Sequence, residues 1–292
     1  MAGILLCLRP FLKVYLITVA TYFFATCIMG IILSPGHYFG NEQQFNENAS
    51  FKLNITAYQP QTHIHEHYHE NAYLSLLING SYEEVNKKNS SGIMPGEVLF
   101  RPAGYHHANH FHEGGRCLNI EFKKEALRQL EIPAVLPEKM MVYKAGKLDY
   151  LYRLLYFFSQ DPTISLPEEY ILNWLSEYTA DRIPARLPWL PKVKAILENE
   201  FDTHHTIKSI GERVFVHPIY LARAFKEREG MTIGEYQLKM RVRKAMALIF
   251  TTALPVADIA FTAGFSDASH LVRSFRFLYL ATPRRFRALL KS

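Results

Sequence analysis

The chain of 292 residues has few cysteines, and Cys7, Cys27 and Cys117 do not stand at any paired spacing. That scarcity excludes a disulfide framework and a zinc knuckle, and it favours a reducing compartment. Cys117, inside the stretch RCLNIEF, is expected to be a small core residue of a strand. Charge is sparse too: 21% of residues are charged against 49% hydrophobic, so most of the chain should pack into cores and not stay disordered. The length allows two domains. Acidic residues are short in the last third. From Trp189 to Ser292 there are 17 Lys/Arg against 9 Asp/Glu, whereas the rest of the chain carries 16 and 18. A basic third on a nearly neutral remainder points to a polyanionic partner for that third.

One long uncharged run is present. Val14 to Leu33 is twenty residues without a charge, preceded by Arg9 and Lys13, which is long enough to cross a bilayer. It lacks a small-x-small cleavage site, since Ala25-Thr26-Cys27 is followed by Ile-Met. Read literally, the positive-inside rule would place everything after it outside the cytoplasm.

Short strands bounded by turn residues come next: FKLNITAY, YLSLLI, EVLFRP and RCLNIEF. Such a series points to a β-barrel or sandwich. His67-x-His69, then Tyr73 and Gly80, form one spacing. Gly96, Pro102-x-Gly104 and His107 form a second. The pair resembles the two motifs of the cupin barrel. In metal-binding cupins the histidines converge on an ion together with a glutamate, but here Tyr73 stands where the carboxylate belongs. His67, His69, Tyr73 and His107 are therefore expected to line a pocket for a small organic effector, with no metal and no other cofactor. His63, His65, His106, His110 and His112 are expected at strand edges or in loops.

Between residues 124 and 188 the texture turns helical. Leu148, Leu151, Tyr152, Leu155 and Phe158 recur at three- and four-residue steps, as do Ile171, Leu172, Leu175 and Tyr178. These stripes cover the barrel, and they are richer than one small barrel needs, which implies a homodimer interface. DRIPARLPWLP, with Pro184, Pro188 and Pro191, reads as a linker.

The last third repeats itself at a period of fifty residues. Leu221, Arg223, Phe225 and Thr232 fall on Leu271, Arg273, Phe275 and Thr282, and Tyr236 falls on Phe286. In each copy a short apolar helix (IKSIGERV, VADIAFTAG) precedes a turn and a second helix (PIYLARAFKERE, DASHLVRSFRFL), the plan of a helix-turn-helix. Leu221 and Phe225 share one face of their helix. Arg223, two residues from each, is rotated about 200° away at ~100° per residue. One face docks and the opposite face offers an arginine, a side chain that reads guanine and clamps phosphate. A nineteen-residue apolar helix between the copies would span roughly 29 Å, close to one ~34 Å turn of B-DNA.

DIAFTAGFSDASHLVRSFR, Thr282-Pro283, Phe286-Arg287 and YLARAFKEREGMTIGEY make residues Trp189 to Lys291 similar to the DNA-binding domain of the AraC family of bacterial transcription regulators. The resemblance implies DNA contacts from Ile219, Tyr220, Ala222 and Arg223 in the first copy, and from Ala268, Ser269, His270 and Arg273 in the second. Leu280 stands where the family usually has a helix-ending glycine, so that end is expected to fray or close differently.

The expected architecture is α+β and multidomain. Residues 1–33 form a hydrophobic segment, 34–123 a cupin-like barrel, 124–188 a helical cover and linker, and 189–292 an all-α domain with two helix-turn-helix units. The expected function is a dimeric, cytoplasmic regulator that binds double-stranded DNA and responds to an effector, with no catalytic residue. A metal-dependent cupin enzyme with an appended DNA-binding module is the alternative. Because a DNA-binding domain cannot work outside the cytoplasm, Met29 is read as the true start. A membrane-tethered regulator anchored through residues 14–33 is the other resolution.

Overall fold

The computed structural model describes residues 31–123, 136–163, 168–180 and 187–291. The hydrophobic run up to residue 30, residues 124–135 of the expected helical cover, and residues 181–186 of the proline-rich linker lie outside the described residues. Residues 31–33, the end of that run, form a strand of the barrel. Among the described residues no helix is long and apolar enough to cross a membrane.

Eleven strands build two sheets: β1 (Ile31–Leu33), β2 (Asn41–Glu47), β3 (Phe51–Tyr58), β4 (Thr62–His69), β5 (Tyr73–Gly80), β6 (Tyr82–Val85), β7 (Ser90–Ile93), β8 (Val98–Arg101), β9 (His107–Phe111), β10 (Gly115–Phe122) and β11 (Met141–Tyr143). Their orders are β1-β4-β9-β6-β7 and β11-β8-β5-β10-β3-β2. β1 joins β4 in parallel, and the other pairings are antiparallel. The strands FKLNITAY, YLSLLI, EVLFRP and RCLNIEF are present as β3, β5, β8 and β10, and β5 and β10 are buried on both faces, successive residues pointing to opposite sides. Leu53, Ile55, Leu118 and Ile120 are buried, and so is Cys117.

Nine helices are described: α1 (Asp149–Gln160), α2 (Glu168–Ala180), α3 (Leu190–Asn199), α4 (Ile207–Val214), α5 (Pro218–Glu229), α6 (Ile233–Thr251), α7 (Val256–Thr262), α8 (Ala268–Tyr279) and α9 (Pro283–Lys291). Their starts are written locally. Thr206 with Ser209, and Thr232 with Glu235, form reciprocal capping boxes at α4 and α6. Pro218 opens α5, and the Asp267 side chain accepts a 2.7 Å bond from the His270 amide at α8.

Two apolar cores divide the helical domain unevenly. The first helix-turn-helix unit closes its own core from Leu190, Val193, Ile210, Leu221, Phe225, Tyr236 and Met240. The second does not. Phe250, Leu271, Phe275, Tyr279 and Phe286 are continuous with Leu151, Leu155 and Phe158 of α1, Trp174 of α2, and Phe100 and Phe122 of the barrel. The apolar stripes of α1 and α2, whose richness implied a dimer, are thus largely used inside the chain. The apolar faces of residues 189–291 are likewise not complete on their own, since α8 and α9 share their core with α1 and the barrel.

A buried polar hub fixes this junction. Asp149, at the start of α1, accepts bonds from Arg243 Nε and Nη2 at 2.9 and 2.6 Å and from the Tyr279 hydroxyl at 2.8 Å, with Lys239 Nζ 3.4 Å away. The loop before α1 presses onto α6 at Gly146, whose φ is +85° and where a Cβ would stand 2.3 Å from the Arg243 carbonyl oxygen. Only glycine fits there.

Candidate nucleic-acid interface and barrel histidine site

On α5 and α8 the docking and offering faces separate as the spacing predicts. Leu221, Phe225, Leu271 and Phe275 are fully buried, while Arg223, Ser269 and Arg273 are exposed. Ile219 and Tyr220 are exposed beside Arg223, and Ala222 is half-buried. His270 is half-buried with its ring 5.1 Å from Phe265, edge to face, and Ala268 packs partly on the core. All eight expected contact residues therefore lie on α5 or α8 and none is buried.

The two helices differ in charge. Arg223 lies 3.7 Å from Glu227, one turn along, so an acid shares its face. α8 carries Arg273 and Arg276 with no acidic residue, and Arg284, Arg285 and Arg287 follow on α9. The second unit is the more strongly cationic surface.

Leu280 corrects an expectation. α8 neither frays nor closes differently. Leu280 takes the left-handed conformation at φ +58° and donates its amide to the Arg276 carbonyl at 2.9 Å, the closure Gly230 provides for α5. For a residue with a side chain that conformation costs about 1–2 kcal/mol.

In the barrel, the structure gathers His67, His69, Tyr73 and His107. They come from three strands in two sheets: His67 and His69 from β4, His107 from β9 directly opposite His67, and Tyr73 from β5. A bulge between Ile64 and His67 shifts the pairing, so Ile64, His67 and His69 are all buried despite their odd spacing. The ring centroids of His67 and His107 are 4.2 Å apart, those of His67 and His69 5.4 Å, and those of His69 and His107 5.9 Å. His67 Nδ1 lies 2.8 Å from the His65 carbonyl and His107 Nδ1 3.0 Å from the Tyr105 carbonyl. A carbonyl only accepts, so each Nδ1 carries the proton and each Nε2 keeps a lone pair. The Tyr73 hydroxyl donates to His107 Nε2 at 3.0 Å. Tyr38 and Phe39 cover the cluster, with Tyr38 5.1 Å from His69 and Phe39 4.9 Å from His67.

The three imidazoles are held neutral. Burial, then His107 and His67 beside it, brings His69 down to about 2; burial also lowers His67 and holds His107 well below its ordinary value. Of the other histidines, His106 and His112 fall in loops as expected, but His63 and His65 lie within β4 and His110 within β9, on the outer side of the sheet: His63 and His65 are exposed, and His110 is half-buried beside His63.

Beside the cluster lies a network the sequence did not reveal. Arg101, buried, donates through Nε and Nη2 to Glu84 at 2.8 and 2.6 Å, and Nη2 also reaches the Tyr82 hydroxyl at 2.9 Å. Asn109 donates to Glu84 at 2.6 Å. Tyr82 and Glu84 alternate on β6, a readable hint that both face inward, but nothing local points to Arg101 as their partner. The space among these groups is about 20 Å³. That is room for about one water-sized guest.

Residues 210–289 match the family model described as a helix-turn-helix domain. Over 87 residues the chain is 30% identical to the arabinose operon regulatory protein of Salmonella typhimurium, a match covering 30% of this chain and 31% of that one. Over 123 residues it is 25% identical to the Msm operon regulatory protein of Streptococcus mutans, covering 42% and 43%. It is also similar to a solved transcriptional regulator from Chromobacterium violaceum with an AraC-type DNA-binding domain, at 27% identity, 35% of this chain, 92% of that one and a TM-score of 0.34. The chain spans less than half the length of these two curated relatives.

Proposed function

From a C-terminal domain of the AraC family of transcription regulators, we propose that the whole chain is a sequence-specific DNA-binding transcription regulator whose activity responds to a small ligand at the barrel histidines. The observation that supports this most is the doubled recognition surface. Arg223 and Arg273 occupy equivalent positions on two helices, each opposite a buried Leu/Phe pair. Arginines so placed contact guanine edges or phosphates, and α8, free of acidic residues, supplies more of the specificity. α5 offers Ile219 and Ala222, suited to thymine methyls, with few donors for bases.

The shared core supports a route for the response. A ligand that favours one barrel arrangement over another shifts the population of arrangements of everything packed on it, including α8. The protein acts in the cytoplasm, where it meets DNA. It acts as a homodimer, since linking two DNA-binding domains raises the effective concentration of the second. The enzyme alternative finds no support in the cluster, which offers no carboxylate among its ligands and too little space for a substrate.

Genome-wide mapping of bound DNA in the source cell tests this reading. Discrete peaks sharing one motif are expected; uniform occupancy without a motif overturns sequence-specific regulation.

A further inference from the structure

The two helix-turn-helix units part company one turn beyond their arginines. Phe277 on α8 is 84% exposed, a large apolar ring left in water. It follows Arg273 by four residues, so it stands about 40° around the helix from that arginine and ~6 Å further along. Its counterpart fifty positions earlier is Glu227, which follows Arg223 by the same four residues. We propose that this position is a second reading point in each unit, where Phe277 recognises the methyl group of thymine and Glu227 the amino group of cytosine. The inference rests on the DNA-binding reading above and adds a base preference that tells the two units apart.

The direction of both side chains is set by the opposite faces of their helices. Leu271 and Phe275 are fully buried and the Tyr279 hydroxyl is tied to Asp149, which turns Ser269, Arg273 and Phe277 outward in one row. On α5 the burial of Leu221 and Phe225 does the same for Ile219, Arg223 and Glu227. Each row advances ~6 Å per turn, while bases along one strand are ~3.4 Å apart. For a helix lying along the major groove with its arginine at a base edge, the next turn therefore faces a base pair about two steps away.

The two side chains suit different bases. A phenyl ring has no strong donor or acceptor, and the apolar group that the major groove displays is the C5-methyl of thymine. Contact takes both out of water. A carboxylate only accepts, and the cytosine N4 amino group only donates. The surroundings favour nucleic acid over an apolar protein groove as the occupant. Arg276 precedes Phe277, Arg284, Arg285 and Arg287 follow on α9, and α8 carries no acid, so the ring sits in a field that attracts phosphates. On α5, Glu227 lies 3.7 Å from Arg223, and the side chains keep 69% and 73% of their exposure. Such an exposed pair is weak, so it opens at little cost when each member takes its own base.

The test binds the full chain to a duplex selected from a randomised pool, with thymines replaced one at a time by deoxyuridine, which removes only the methyl. One replacement is expected to weaken binding about fourfold, the worth of one buried methyl-sized group. Phe277→Ala weakens binding to the original duplex by at least as much and becomes indifferent to that replacement. Phe277→Glu changes the preferred base there from thymine to cytosine. Phe45→Ala, at another exposed ring on the barrel strand β2, changes nothing. Because Phe277 is nearly bare, its replacement leaves the urea midpoint unmoved, which separates lost recognition from lost fold. Selective binding that ignores every thymine methyl, or that keeps the dependence in Phe277→Ala, overturns the proposal and spares the regulator reading. Unchanged duplex affinity in Phe277→Ala with altered output from the bound promoter gives the ring to a protein partner, and overturns the proposal too. Equal affinity for selected and scrambled duplexes overturns the regulator reading itself.

Discussion

Replacing Asp149 by alanine removes the group on which α1, α6 and α8 meet. The carboxylate is 3% exposed and takes two bonds from Arg243, one from Tyr279 and the charge of Lys239. Losing one partner of a fully buried ion pair costs about 3–5 kcal/mol, because the other charge is left uncompensated. Here the Arg243 and Lys239 side chains keep 16% and 20% of their exposure. Water therefore recovers part of that loss, and ~2–3 kcal/mol is expected. Tyr279→Phe deletes one bond to a charged acceptor and should cost ~1–2 kcal/mol. The two changes remove the same bond, so the double variant should fall short of their sum by about 1 kcal/mol. The two tryptophans separate the cores: Trp174 lies in the shared core and Trp189 packs on the first unit's core. Urea unfolding followed through Trp174 alone, in a Trp189→Phe background, reads the relevant core. A Trp174 transition unmoved by Asp149→Ala, or strictly additive costs, refutes the shared core held by this hub.

Two further changes probe backbone strain and packing. Leu280→Gly relieves a left-handed leucine that is 53% exposed and contributes little burial; it should stabilise by ~0.5–1 kcal/mol after glycine's larger entropy loss, read as a higher urea midpoint. Gly146→Ala places a Cβ against the Arg243 carbonyl at a positive φ and should destabilise by at least ~2 kcal/mol, with a visible loss of Trp174 protection in unfolding.

The helix-turn-helix units were legible in the sequence because their determinants are local. Leu221/Phe225 against Arg223 is a matter of helical period, and Thr206, Thr232 and Asp267 mark starts within three residues of the groups they cap. The strands β3, β5, β8 and β10 were legible for the same reason, whereas β1, β2, β4, β6, β7, β9 and β11 were not marked out. What escaped were contacts between distant residues. The Asp149–Tyr279 bond spans 130 positions, and Arg101 meets Glu84 only after two strands pair with their neighbours. The histidine cluster was half legible: the four residues that the structure brings together were named, but the bulge after Ile64 and the origin of Tyr73 on a separate strand depend on register. The size of the space among them follows from packing, which local pattern does not encode.

The most direct measurement of the regulator reading is equilibrium binding of the full chain to a duplex selected from a randomised pool, with a scrambled duplex alongside, across a series of salt concentrations. The selected site should be bound ~10³-fold or more tightly than the scrambled one at physiological salt. Arg273→Ala should lose ~1–3 kcal/mol on the selected site if the side chain reads a base, or show a salt slope shallower by about one if it grips a phosphate. Equal affinity for selected and scrambled DNA, or an Arg273→Ala chain with unchanged affinity and unchanged slope, contradicts the account.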